Sequence, residues 1–209
     1  IGQALNLDGS NPEAVLATGV IALRRGQASE ARTGLSRAAQ AKDPDYRALA
    51  YLSMVQLADN EPQDALTSAR KAVALAPASA LAHGSLGMAA FYCGATTEAR
   101  AEAALALELN PNSATAHLLA SHLAVIAGDL DMGLAQAEAA VELDPCLASA
   151  HQAIGMMALT QNDLKRAEKS FNKALALQPR LVSAQTGGGL LYARQDKLAA
   201  ALQQQQGAV

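Results

Sequence analysis

Tryptophan is missing from the chain, and two phenylalanines and four tyrosines make up its whole aromatic complement. A core built with so few rings must be filled by aliphatic side chains, and 51% of the 209 residues are hydrophobic, mainly Ala and Leu. Small side chains of this kind let helices approach closely. Two cysteines, Cys93 and Cys146, are too few for a disulfide framework, and they leave cytoplasm and periplasm both open as compartments. No apolar run reaches the roughly 18 residues of a membrane-crossing helix, and no basic stretch leads into an apolar one as in an export signal. Direct insertion into a membrane is therefore not expected. Sixteen Lys and Arg stand against 19 Asp and Glu, so the net charge of −3 gives no field suited to nucleic acid, and no local basic run compensates.

Catalytic motifs are missing as well. The sequence has no G-x-S-x-G, no H-E-x-x-H, no phosphate-binding loop and no C-x-x-C pair. Gly187, Gly188 and Gly189 lie within a helical stretch instead of leading into one, which is the wrong place for a phosphate cradle. His83, His117 and His151 recur at equal spacing. Successive repeats displace each side chain by about the diameter of a packed helix, roughly 10 Å, whereas zinc needs its nitrogens about 2 Å from one centre. These histidines are read as partly buried and hydrogen-bonded, with His122 on another face of its helix. Glu138 and Glu142 read as a solvated pair. No catalytic residue, metal or cofactor is expected.

What the chain does have is a period. Ala4, Ala38, Ala72, Ala106, Ala140, Ala174 and Ala208 each follow the last by 34 residues. Pro77, Pro111, Pro145 and Pro179 keep the same step, as do Ala31, Ala65, Ala99, Gly133, Ala167 and Ala201. Counting back from the prolines, position 8 of each unit reads Gly19, Ser53, Gly87, Ser121, Gly155 and Gly189. Small residues at positions 8, 20 and 27 with proline at 32 resemble the tetratricopeptide repeat across essentially the whole chain. The resemblance implies an all-α, right-handed superhelical solenoid of antiparallel helix pairs that serves as a binding scaffold.

On this frame residues 1–209 form a single array. Complete repeats fall at 12–45, 46–79, 80–113, 114–147 and 148–181, with 1–11 ending an earlier repeat and 182–209 starting an incomplete one. Ile1 falls at repeat position 24, inside a second helix, so the chain reads as a fragment of a longer protein. Helix A should cover about the first 14 positions and helix B about positions 17 to 31, separated by a turn at position 15 that reads Gly26, Asn60, Gly94, Gly128, Asn162 and Asp196. Pro62 suits the first turn of a helix B, and Asn110-Pro111 and Asp144-Pro145 stop one. The run Gln203 to Gln206 reads as a solvated helix face. Pro44, one position late, is expected to alter the angle between the first two full repeats. The three glycines at 187–189 should make their helix the least stable of the array, as a hinge or as a frayed terminus.

Members of the family commonly bind ligands on the concave wall of the A helices, at positions 2, 5, 9, 12 and 13. The resemblance therefore implies a groove lined here by Leu16, Val20, Leu23, Met54, Leu57, Met88, Phe91, Tyr92, Leu118, His122, Val125, Gln152, Met156 and Leu159. These side chains are nearly all apolar, and the stretches 80–93, 114–127 and 148–161 contain no Asp, Glu, Lys or Arg. A carboxylate clamp and an asparagine ladder, two binding devices of the family, lack their residues. The function expected is a non-catalytic scaffold that takes an apolar peptide or amphipathic helix in this groove, methionines adapting to its shape. Two alternatives stand beside it: the targeting arm of a larger protein, such as a glycosyltransferase or envelope polysaccharide-export component, and self-association through groove or ends. Met88→Glu is expected to abolish binding with little change in stability.

Overall fold

The computed structural model describes residues 12–195. Among these the chain forms eleven α-helices and no strand. They are α1 (Pro12–Arg24), α2 (Ala28–Ala39), α3 (Tyr46–Ala58), α4 (Pro62–Leu75), α5 (Ala80–Tyr92), α6 (Thr96–Leu109), α7 (Ala114–Ile126), α8 (Leu130–Leu143), α9 (Ala148–Thr160), α10 (Leu164–Leu177) and α11 (Val182–Arg194). The odd-numbered A helices are 13 residues long and, from α3 onward, start 34 residues apart. The fold is an all-α helical repeat. The expected features at residues 1–11, Asp196 and Gln203 to Gln206 lie outside the described residues.

Local chemistry explains where each helix stops. Gly26, Asn60, Gly94, Gly128 and Asn162 all have φ between 61° and 84°, the left-handed region that reverses the chain between A and B helices. Pro62 occupies the first turn of α4, where a missing N–H leaves nothing unsatisfied. Asp45, Ser79, Asp129 and Asp163 each accept a hydrogen bond from a backbone N–H of the first turn they precede. Helix α2 is shorter than the other B helices, 12 residues against 14, and ends before the segment that carries Pro44.

The helices fall into two compact units that divide within α7, between Leu119 and Ala120. In the first unit, Ala31, Ala65, Ala99 and Ala106 are completely buried, because each sits where two helices meet with no room for a larger side chain. Large residues fill the space that glycines leave. A Cβ on Gly19 would lie 2.8 Å from Cγ of Leu35, and one on Gly87 would lie 2.4 Å from Cδ2 of Leu119. Arg32 ties α2 to the next turn through Asp59 at 2.8 Å and Glu61 at 2.7 Å. In the second unit Ala137, Ala140, Ala167 and Ala174 play the same part, and Phe171 is buried between Gly155 of α9 and Gly187 of α11.

The glycine run in α11 therefore has a packing reason, at least at Gly187. Helix α11 continues through all three glycines, and each is buried. The backbone at Gly187 is where the edge of the Phe171 ring sits.

Candidate functional site

In the first unit α1 packs against α3 and α3 against α5, so part of each A helix is covered by the next. Leu16, Met88 and Leu118 are buried. Val20, Leu23, Met54, Leu57 and Phe91 are half-buried, and Tyr92 is 54% exposed at the end of α5. The Phe91 and Tyr92 rings meet edge to face with centroids 5.5 Å apart. The more open residues of this set are aliphatic and aromatic, and the deeper ones belong to the core.

Met88 is only 8% exposed. A glutamate there would bury a charge, so Met88→Glu is expected to unfold the chain instead of separating binding from stability. Tyr92 is the position where the two effects can be separated.

In the second unit α9 packs against α11, and Leu159 is buried. His122, Gln152 and Met156 are half-buried, Val125 is exposed, and Ile126 beside it is 59% exposed. Burial pulls the His122 imidazole down to about 4, so at neutral pH it carries no charge. A neutral histidine keeps this stretch of wall free of charge. Arg194 of α11 donates from Nη1 to the Leu159 carbonyl at 2.6 Å, capping the end of α9.

The histidine series has a common partner that the sequence reading did not foresee. Nε2 of His83, His117 and His151 faces the carbonyl of Pro77, Pro111 and Pro145 at 2.8, 2.9 and 3.0 Å. A carbonyl only accepts, so Nε2–H donates in each case. Gln185 holds the same place in the last pair and donates to the Pro179 carbonyl at 3.0 Å. These side chains pin the turn before each A helix to its first turn. His83 also meets Glu102 of α6 through Nδ1 at 2.5 Å. Their role is structural, and among the described residues no group of His, Cys, Asp and Glu is arranged to hold a metal.

Of the two cysteines, Cys93 donates its thiol to the Pro62 carbonyl at 3.3 Å, and burial raises its pKa. Cys146 is exposed in the turn before α9, and both are free thiols.

The sequence profile of the tetratricopeptide repeat matches residues 52–114 and again residues 148–181. The chain belongs to the tetratricopeptide-repeat family. The fold agrees: a thermophilic repeat protein of Thermus thermophilus is 23% identical over 92% of this chain and all of its own, with a TM-score of 0.66. A chain of the APC/C hetero-tetramer Cut9–Hcn1 is 16% identical over 99% of this chain and 41% of its own, with a TM-score of 0.72. PilF of Pseudomonas aeruginosa is 17% identical over 92% of this chain and 88% of its own, with a TM-score of 0.55. No curated protein shows significant sequence similarity to the chain.

Among the described residues no helix is long and apolar enough to cross a membrane.

Proposed function

We propose that this tetratricopeptide-repeat array, a protein-interaction scaffold, is a non-catalytic adaptor whose A helices bind an apolar peptide or the apolar face of an amphipathic helix. One observation carries the reading: α5, α7 and α9 contain no Asp, Glu, Lys or Arg, yet Phe91, Tyr92, Val125, Ile126 and Met156 remain partly or largely open. A helix face left to water normally carries charge, whereas an apolar face without it is suited to a covering partner. The uncharged His122 and the thioethers of Met54 and Met156 fit that partner class.

The test uses a synthetic amphipathic helix with one leucine-rich face as probe. Tyr92→Glu and Ile126→Glu should each weaken its binding at least about tenfold, because a carboxylate cannot be buried unpaired against leucine. Met132→Glu, on the exposed face of α8, should leave it unchanged. Equal binding by all three variants would remove the A helices as the site.

A further inference from the structure

The two B helices of the second unit carry opposite charge. Helix α8 bears Asp131, Glu138 and Glu142 and no Lys or Arg. Helix α10 bears Lys165, Arg166, Lys169 and Lys173 against the single acid Glu168. Lys165, Lys169 and Lys173 follow one another at intervals of four, which sets them in a line along the helix, and all three are exposed. Asp131, Glu138 and Glu142, at intervals of seven and four, form an exposed line along α8. The helices are neighbours on this wall, since Arg166 of α10 pairs with Glu138 of α8. Like charges four apart on a helix repel one another and destabilise it. The lysine line therefore works against its own helix, and it gains most from an acidic surface laid over it.

We propose that this face is self-complementary and that a second copy of the chain docks on it, α10 of each copy lying over α8 of the other. A twofold axis in the contact plane and parallel to the helices brings the lysine line over the partner's acidic line twice. An in-plane axis across the helices would stack like charge on like, so charge alone selects one arrangement. The juxtaposition also argues against a purely acidic partner. Any polyanion drawn to α10 also meets the acidic line of α8, whose Glu138 is within ion-pair reach of Arg166. Exposed Met132 and Leu143 on α8 supply apolar contact within the same patch.

The experiment is sedimentation equilibrium of the whole chain in about 0.05 M and about 0.5 M salt. The wild type should form a reversible dimer at low salt that dissociates at least about tenfold more readily at high salt. Lys165→Glu/Lys169→Glu/Lys173→Glu should be monomeric alone, and so should Asp131→Lys/Glu142→Lys. Mixed one to one, the two variants should form a heterodimer, because each then meets opposite charge at both contacts. A wild type that stays monomeric at low salt overturns the proposal, whether or not polyglutamate then binds α10. So does a dimer whose strength is unchanged by salt and by both charge reversals, and so does a mixture that fails to pair.

Discussion

A Cβ placed on Gly187 would lie 2.4 Å from Cε1 of Phe171, a distance that real Cβ atoms do not tolerate. Gly155 of α9 would bring its own Cβ within 2.7 Å of the same atom. Phe171 is 1% exposed, so the ring has nowhere to move. Two glycines on α9 and α11 thus make the slot for the phenylalanine of α10.

Gly187→Ala consequently has two opposed effects. Helix propensity alone would stabilise α11 by about 1 kcal/mol, while overpacking against a pinned ring costs about 1–3 kcal/mol. The clash should win, and thermal melts should show Gly187→Ala less stable than the wild type. In a Phe171→Leu background the same change should become neutral or stabilising.

The hydroxyls of Ser53 and Ser121 are buried, and among the described residues they have no hydrogen-bond partner. Removing an unsatisfied buried hydroxyl recovers its desolvation cost. Ser53→Ala and Ser121→Ala should each stabilise the chain by about 1 kcal/mol in denaturant titrations, and alanine's helix propensity acts in the same direction.

His151 and Gln185 perform one task with different side chains, each donating to the carbonyl of the proline six residues before it. His151→Gln should therefore leave stability within about 0.5 kcal/mol of the wild type, while His151→Ala loses a hydrogen bond worth about 1 kcal/mol. Urea midpoints of the two variants separate the outcomes.

His122 gives stability a pH dependence of known sign. Its folded pKa is about 4 against an ordinary value of 6.5, with burial as the cause. Between those values the unfolded chain takes up a proton that the folded chain refuses, so stability falls as pH drops from about 6.5 toward about 4. The loss should approach about 1–3 kcal/mol. In His122→Leu that part of the slope should vanish, which unfolding curves at a series of pH values will show.

The turns and helix registers were legible in the sequence because few residues accept their geometry. Positive φ at Asn60 and Gly94 and a proline at the start of α4 are near-obligatory choices, and each appeared at the position the period assigned. Depth within the A helices was less legible. Met54 and Met88 share position 9 of their repeats, yet Met54 is half-buried while Met88 is buried. Their exposure depends on neighbouring helices that the one-dimensional pattern does not describe. The Phe171 slot was a readable signal that went unread. Phe171 lies 16 residues from both Gly155 and Gly187, and it is the one ring on a described B helix. A single large residue midway between two helical glycines points to packing before it points to a hinge.

The measurement that bears most directly on the apolar binding wall is methyl NMR of the five methionines, with the chain titrated by the leucine-faced amphipathic helix. Met54 and Met156 are half-buried on A helices, Met157 is buried in the core, and Met132 is exposed on α8, so one experiment reads the wall, the core and the outer face together. Saturable shifts are expected at Met54 and Met156, with Met132 and Met157 unmoved. Shifts at Met132 alone, or no saturable shift at Met54 and Met156, would contradict it.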